Sequence, residues 1–156
     1  MASITESKVI DADIDRAWDI VSDVDRDPEY WSGLSSVRNI RRSGNTIERQ
    51  ATVGFIGREG KQTIRLHPKE SLELIMTSGP LRGTRVLKLT RLSDGAKTTV
   101  AISWDFRFSG VPEFAQAFVK TQLERVTKDA LKRIGEAAEG TRAITRGTRS
   151  GRAEME

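Results

Sequence analysis

The sequence predicts an α+β fold in which a curved, seven-stranded antiparallel sheet wraps around one long C-terminal helix, with two short helices after the first strand. Two observations lead to this prediction: strand-like segments joined by turns too short for crossover helices, and a single long amphipathic segment near the C-terminus. Strands joined by short turns pair antiparallel. A sheet with one apolar face needs a second layer, and the long helix is the element available to cover it.

The chain begins with a predicted strand and two predicted helices. Residues 3–10 are rich in β-branched side chains, which is typical of a strand. Asp13 precedes a segment whose apolar residues recur at helical spacing, so we predict an N-capped helix of about three turns. These apolar residues are Ile14, Ala17, Trp18 and Val21. Pro28 suits the first turn of a second, very short helix, with Asp27 as its cap and Gly33 near its end.

Six further strands are predicted between Val37 and Phe108, because turn signals repeatedly interrupt an alternating pattern. The clearest alternation lies in the last of these strands, where one face is apolar and the other is polar. The apolar face carries Val100, Ile102, Trp104, Phe106 and Phe108. We therefore expect one face of the sheet to meet a core and the other to meet water.

The long C-terminal helix is predicted from Pro112 to about Ala138. Its apolar residues follow a spacing of three and four: Ala115, Val119, Leu123, Val126, Ala130, Ile134 and Ala137. At 1.5 Å per residue such a helix is about 40 Å long, enough to cross the sheet. After Gly140 the pattern stops, so we divide the chain into a folded domain, residues 1–139, and a basic disordered tail, residues 140–156.

The composition excludes several kinds of active site. The 156 residues include no cysteine and one histidine, His67, and 31% of them are charged. The sequence therefore excludes disulfides, thiolate nucleophiles and His-rich metal sites. We predict no catalytic residue, no metal and no cofactor. The net charge of +4 is too modest to indicate a nucleic-acid partner by itself. No signal peptide or membrane-spanning segment is recognisable, so we expect a cytoplasmic protein.

Three motifs in the first forty residues carry a family resemblance: VIDAD at 9–13, AWDIV at 17–21 and DRDPEYW at 25–31. Together they resemble the START-like superfamily, also called SRPBCC or Bet v 1-like, and within it the polyketide cyclase/dehydrase and coenzyme-Q-binding branch. The resemblance implies a helix-grip fold with a cavity for a hydrophobic small molecule between the sheet and the long helix. Members of the family differ in activity, so the fold does not choose among functions.

The candidate ligand-binding residues are those that strand or helix periodicity directs inward. Arg49 shares strand parity with apolar residues, so its guanidinium could meet a carbonyl, a carboxylate or a quinone oxygen in the cavity. Gln62 is a second polar candidate on the following strand. The aromatic candidates for the cavity wall are Phe55, Trp104, Phe106, Phe114 and Phe118. The alternatives are an arginine that snorkels to water and aromatic rings that only pack the core.

The acidic segment at residues 22–33, SDVDRDPEYWSG, is predicted to be a joint between helix and sheet. It lacks the hinge glycine and closing glutamate of a calcium-binding loop, which argues against a metal site. We expect its aspartates to be helix-end and capping residues and Trp31 to pack beneath the end of the sheet.

Three functions are compatible with the sequence. The first is binding or carrying of a hydrophobic small molecule, such as a lipid, a quinone or a polyketide-like compound, without catalysis. The second is a polyketide cyclase or dehydratase in which Arg49 and Gln62 orient the substrate. The third is association with RNA or the ribosome through the arginines of the tail, although four arginines without interleaved aromatics supply only a weak, salt-sensitive attraction.

Overall fold

Seven strands form one antiparallel sheet in the computed structural model, which describes residues 2–54 and 56–147, with side chains as far as residue 140. The strands are β1 (Ala2–Ile10), β2 (Leu34–Ser43), β3 (Thr46–Val53), β4 (Arg58–His67), β5 (Ser71–Met76), β6 (Leu81–Arg91) and β7 (Thr98–Phe108). Their order across the sheet is β1-β7-β6-β5-β4-β3-β2, so the first strand closes onto the last. The predicted meander of six strands and its extra N-terminal strand are confirmed.

The helices are α1 (Ile14–Val21), α2 (Asp27–Tyr30) and α3 (Glu113–Gly147), with a 3-10 turn at Val24–Arg26. The predicted cap of α1 is confirmed, because the Asp13 carboxylate accepts a hydrogen bond from the backbone N–H of Arg16 at 2.9 Å. Helix α3 continues past the end predicted near Ala138. The predicted tail therefore starts within the last turns of α3, and residues 148–156 lie outside the described residues.

The core lies between one face of the sheet and α3. The alternation predicted for β7 is found: Val100, Ile102, Trp104 and Phe106 are buried, and Phe108 is half-buried. Helix α3 packs onto this face with Val119, Leu123, Ala130, Leu131 and Ile134. Among the described helices, none is both long and apolar enough to cross a membrane.

Strands β6 and β7 approach each other very closely at Gly83. Its φ of +144° is unfavourable for any residue with a side chain, and a Cβ there would collide with the carbonyl oxygen of Asp105. The glycine therefore allows the two strands to stay paired at the point where Leu81 and Arg85, on either side of it, turn toward the interior.

Candidate ligand-binding site

A small, mostly apolar cavity lies between the sheet, α3 and the residues that follow α2. Its volume is about 40 Å³. The apolar side chains that line it are Trp31, Leu34, Val53, Leu74, Met76, Leu81, Trp104, Leu123 and Val126. The polar lining residues are Gln62 and Arg85. A cavity of this size holds a few water molecules and is much smaller than the roughly 300–1,000 Å³ of a pocket for a drug-sized ligand.

Arg85 is the one charged side chain among the residues that line this cavity. It is 3% exposed, and its guanidinium carbon lies 4.2 Å from the ring centroid of Trp31 and 5.6 Å from that of Trp104. Its buried Nε has no hydrogen-bond partner among the described residues. Burial lowers the pKa of Arg85 to about 10, so the group keeps its charge at neutral pH. The site thus combines a stacked cation with an unused N–H donor.

Arg49 lies behind the cavity wall and is occupied by protein groups. Its Nη2 is 2.9 Å from Asp27 Oδ2, its Nη1 donates to the carbonyl oxygen of Val24 at 3.0 Å, and its Nε donates to Gln62 Oε1 at 2.9 Å. The inward direction predicted for Arg49 is found, since its side chain is fully buried. Its expected part as a ligand anchor needs correction, because every nitrogen of the guanidinium already donates to the protein and the residue does not line the cavity.

The prediction that Asp27 caps α2 is wrong. Asp27 is the first residue of α2, and its carboxylate turns into the interior to pair with Arg49. Burial raises the pKa of Asp27, while the positive charges of Arg49 and Arg85 oppose that shift. The ion pair fastens α2 to β3 and so holds Trp31, the next residue after α2, against the cavity. No cluster of acidic or histidine side chains in the described part of the chain is suited to hold a metal ion.

The aromatic residues predicted for the cavity wall divide into lining and packing residues. Trp104 lines the cavity and meets Trp31 edge to face, with ring centroids 5.9 Å apart. Its indole Nε1 donates a hydrogen bond to Thr127 Oγ1 of α3 at 3.0 Å. Phe106 is fully buried behind Trp104, at 6.3 Å between centroids, and packs the core without lining the cavity.

The two phenylalanines predicted on α3 lie outside the cavity, which corrects the expectation for both. Phe114 is 89% exposed and Phe118 is 58% exposed, because Ala115 and Val119 take the inward positions in the first turns of the helix. Phe118 borders a separate depression of about 300 Å³ on the surface. Phe55, also predicted, lies outside the described residues.

The sequence reasoning missed Arg85 and Trp31 as cavity residues, and Asp27 as part of the buried cluster behind the wall. A signal for Arg85 was present, since it shares strand parity with Leu81, Leu87 and Leu89, as Arg49 does with Ile47 and Ala51. No comparable signal marks Asp27, whose burial depends on where Arg49 and Arg85 converge in space.

Comparison with known proteins places this geometry in a family. Residues 1–139 match the family model described as polyketide cyclase/dehydrase and lipid transport. An aromatase/cyclase from a Streptomyces species superposes with a TM-score of 0.77 at 13% identity, over 88% of this chain and 93% of that one. A START superfamily protein from Mycobacterium smegmatis superposes with a TM-score of 0.61 at 15% identity, over 89% and 95%.

A third solved structure, a protein from Thermus thermophilus, superposes with a TM-score of 0.74 at 14% identity, over 90% of this chain and 99% of that one. No curated protein matches the chain. Identities this low show a shared fold and leave the ligand open. The family match over most of the chain and the sheet gripping α3 agree, and the chain belongs to the polyketide cyclase/dehydrase and lipid transport family of START-like, helix-grip proteins.

Proposed function

We propose that this protein binds a hydrophobic small molecule between the sheet and α3, and that Arg85 holds the polar end of that molecule. One observation carries the proposal: a buried guanidinium with an unpaired Nε lines a cavity that is otherwise apolar except for Gln62. A buried donor without an acceptor is costly. An oxygen atom of a ligand would satisfy it, while the aromatic and aliphatic walls would cover the rest of the ligand.

The charge balance of the interior favours a ligand whose polar end is anionic. Within the described part of the chain, two buried guanidinium groups, Arg49 and Arg85, are accompanied by a single buried carboxylate, Asp27. That carboxylate is bound to Arg49 at 2.9 Å. Arg85 is left with cation-π contacts and no hydrogen-bonded counter-charge among the described residues. A carboxylate, phenolate or enolate oxygen complements it better than a neutral carbonyl does.

Ligand entry requires the cavity to expand. A second cavity of about 20 Å³ shares four wall residues with the first: Val53, Gln62, Met76 and Leu81. The unbranched side chain of Met76 adapts its shape readily. The surface depression bordered by Val119 lies one helical turn from Leu123, a residue of the cavity wall. Displacement of these few side chains would open a path from the depression to Arg85.

The binding proposal is tested with a matched pair of probes, 2-naphthoate and its neutral methyl ester, by titration calorimetry. Replacement of Arg85 by methionine (Arg85→Met) should weaken the binding of 2-naphthoate about tenfold or more, because a charge-assisted hydrogen bond is lost. Binding of the ester should change little. Lys88→Met is the control, since Lys88 is exposed on the opposite face of the same strand.

Two results would count against the proposal. Equal affinity of Arg85→Met and the wild-type protein for 2-naphthoate would remove Arg85 as the anchor. Failure of the wild-type protein to bind either probe, together with no bound organic mass in native mass spectrometry of gently purified protein, would remove the cavity as a binding site. Circular dichroism and urea unfolding establish that both variants are folded.

A cyclase acting on a polyketide-like chain is the second candidate. The fold shared with aromatase/cyclases favours it, and so does the pair of polar groups, Arg85 and Gln62, in one apolar cavity. A fixed guanidinium can stabilise the negative charge that develops on an enolate oxygen during ring closure. This candidate uses the same cavity and differs from a carrier only in whether the bound molecule is converted.

A further inference from the structure

Two large aromatic side chains stand in solvent at the start of α3. Phe114 is 89% exposed and Phe118 is 58% exposed. They are four residues apart and so lie on one face of the helix. Among the described residues, the other exposed large apolar side chains, Val9 and Ile40, lie on other elements. A pair of adjacent exposed aromatic rings suggests a surface that something covers.

The rings belong to a larger apolar area that we call the mouth surface, made of Ile56, Val111, Pro112, Phe114 and Phe118. All of these except Phe114 line the surface depression of about 300 Å³. Arg58 lines the same depression, and its Nη1 donates to the carbonyl oxygens of Ser109 and Gly110 at 3.2 and 3.0 Å. This contact fixes the turn that leads into α3.

Cationic side chains outnumber carboxylates on the segments that meet at the mouth surface. The cations are Arg58, Lys61, Arg82, Arg107 and Lys120, and the carboxylates are Glu59, Asp105 and Glu113. Arg82 and Arg107 are register partners at the ends of β6 and β7, close to the turn that enters α3. None of the five cations forms an ion pair within the described part of the chain, so their charge is available to an outside partner.

We propose that the mouth surface docks onto an anionic lipid bilayer. Phe114 and Phe118 would enter the boundary between headgroups and acyl chains, and the surrounding arginines and lysines would contact anionic headgroups. Exposed aromatic rings, together with an excess of cations on the segments that meet there, fit such a membrane in both polarity and charge. The docking itself does not depend on ligand binding at Arg85. If both hold, the depression beside Val119 faces the bilayer, and a hydrophobic ligand can pass between membrane and cavity without crossing water.

Vesicle flotation with the full chain tests the docking. The probes are vesicles of phosphatidylcholine alone and vesicles of three parts phosphatidylcholine to one part phosphatidylserine. We expect the wild-type protein to float with the mixed vesicles and the double variant Phe114→Ser, Phe118→Ser to bind them about tenfold or more weakly. The double variant Val9→Ser, Ile40→Ser removes two exposed apolar side chains elsewhere and should float like the wild-type protein.

The charge part of the proposal has its own control. Arg82→Ala with Arg107→Ala should weaken binding to the mixed vesicles, and added salt should do the same to the wild-type protein. Equal binding to both vesicle types, or equal binding by the wild-type protein and the phenylalanine variant, would overturn the proposal. So would a dimer in solution that the phenylalanine substitutions abolish while vesicle binding is absent.

The proposals for vesicle docking and for 2-naphthoate binding can be refuted independently of each other. The phenylalanine variant keeps the residues that line the cavity, so its calorimetric affinity for 2-naphthoate should equal that of the wild-type protein. Arg85→Met, in turn, should float with mixed vesicles as the wild-type protein does, since Arg85 is 3% exposed and lies away from the mouth surface. A coupled loss in either variant would contradict the independence of the two sites.

Discussion

Arg49 and Arg85 are both buried arginines on the inward face of one sheet, yet their surroundings give them different parts. Arg49 donates from all three of its guanidinium nitrogens to protein oxygens, including Asp27 Oδ2 at 2.9 Å. Arg85 stacks on Trp31 and its Nε is unpaired among the described residues. Because the buried carboxylate of Asp27 is bound to Arg49, that arginine links α2 to β3. Arg85 is the arginine available to a ligand.

We expect Arg49→Met to lower the free energy of unfolding by about 3–5 kcal/mol at neutral pH, because Asp27 is left buried without its ion pair. Burial already raises the pKa of Asp27, and loss of the guanidinium raises it further. A carboxyl with a raised pKa in the folded state favours folding fully below its unfolded-state pKa and loses that contribution as the pH rises through its folded-state value. The loss of unfolding free energy in Arg49→Met, measured by urea unfolding, should therefore be larger at neutral pH than at acid pH.

Two companion variants decide whether Asp27 is the cause. Adding Asp27→Asn to Arg49→Met removes the stranded carboxylate, so part of the lost stability should return at neutral pH and the pH dependence should flatten. Arg41→Met breaks an exposed ion pair with Glu48 and should change stability little. A deficit in Arg49→Met that is the same at acid and neutral pH would show that packing of the side chain, and not the ion pair, is what Arg49 contributes.

At the scale of elements, the contact between α3 and β7 includes a buried hydrogen-bond chain. Trp104 Nε1 on β7 donates to Thr127 Oγ1 at 3.0 Å, and Thr127 Oγ1 donates to the carbonyl oxygen of Leu123 at 2.6 Å. Trp104 and Leu123 both line the cavity. The chain therefore sets the position of α3 against the sheet beside the proposed ligand.

Replacement of Thr127 by valine keeps the shape of the side chain but leaves the indole N–H of Trp104 without a partner. We expect Thr127→Val to lower the free energy of unfolding by about 1–3 kcal/mol, the cost of a buried unsatisfied donor. Thr127→Ser keeps the hydroxyl and is the matched control. If urea unfolding followed by tryptophan fluorescence finds the valine variant as stable as the serine variant, the hydrogen bond does not hold α3 in place.

Most elements could be predicted from the sequence because their signals are local. Turn residues separate the strands, alternation orients β7, and Asp13 is followed at once by a helical repeat. The side-chain directions in the second helix are harder to predict from the sequence. Pro28 indicates that α2 begins nearby, but the direction of the Asp27 carboxylate depends on a contact with Arg49, 22 residues further along the chain. Local rules favour a cap for such an aspartate, and a tertiary ion pair overrides them.

The candidate site could be predicted only in part for the same reason. Parity correctly turned Trp104 and Gln62 toward the cavity, since a strand's alternation is a property of that strand. Strand parity does not show which buried arginine is available to a ligand. That depends on the carboxylate of Asp27, which α2 brings close to both β3 and β6 and which pairs with Arg49. Phe114 and Phe118 are aromatic residues near the expected entrance of the cavity, which is why the sequence predicts that they meet the ligand. The first turns of α3 instead direct both side chains outward.

At the scale of the whole molecule, the interior is nearly filled and its polar groups are few. The cavity volume is about 40 Å³, so a bound molecule must displace side chains and is enclosed once it has entered. Among the described residues, the cavity lining contains one cation and one amide but no carboxylate and no imidazole. Ring closure of a polyketide chain needs a proton taken from carbon and one returned to oxygen, which a charged guanidinium with a pKa of about 10 performs poorly at neutral pH. A carrier and a cyclase would therefore use Arg85 differently: a carrier to hold a bound anion, and a cyclase to stabilise a reacting enolate.

This difference allows a test between a carrier and a cyclase. When the protein is incubated with an N-acetylcysteamine thioester of a short poly-β-ketone, a carrier should leave the rate and pattern of spontaneous cyclisation unchanged, as read by liquid chromatography with mass spectrometry. Arg85→Met should give the same products as the wild-type protein and as buffer. A cyclised, dehydrated product that forms only with the wild-type protein and is lost in Arg85→Met would instead assign catalysis to this cavity, because Arg85 would then be stabilising a reacting enolate and not only a bound anion.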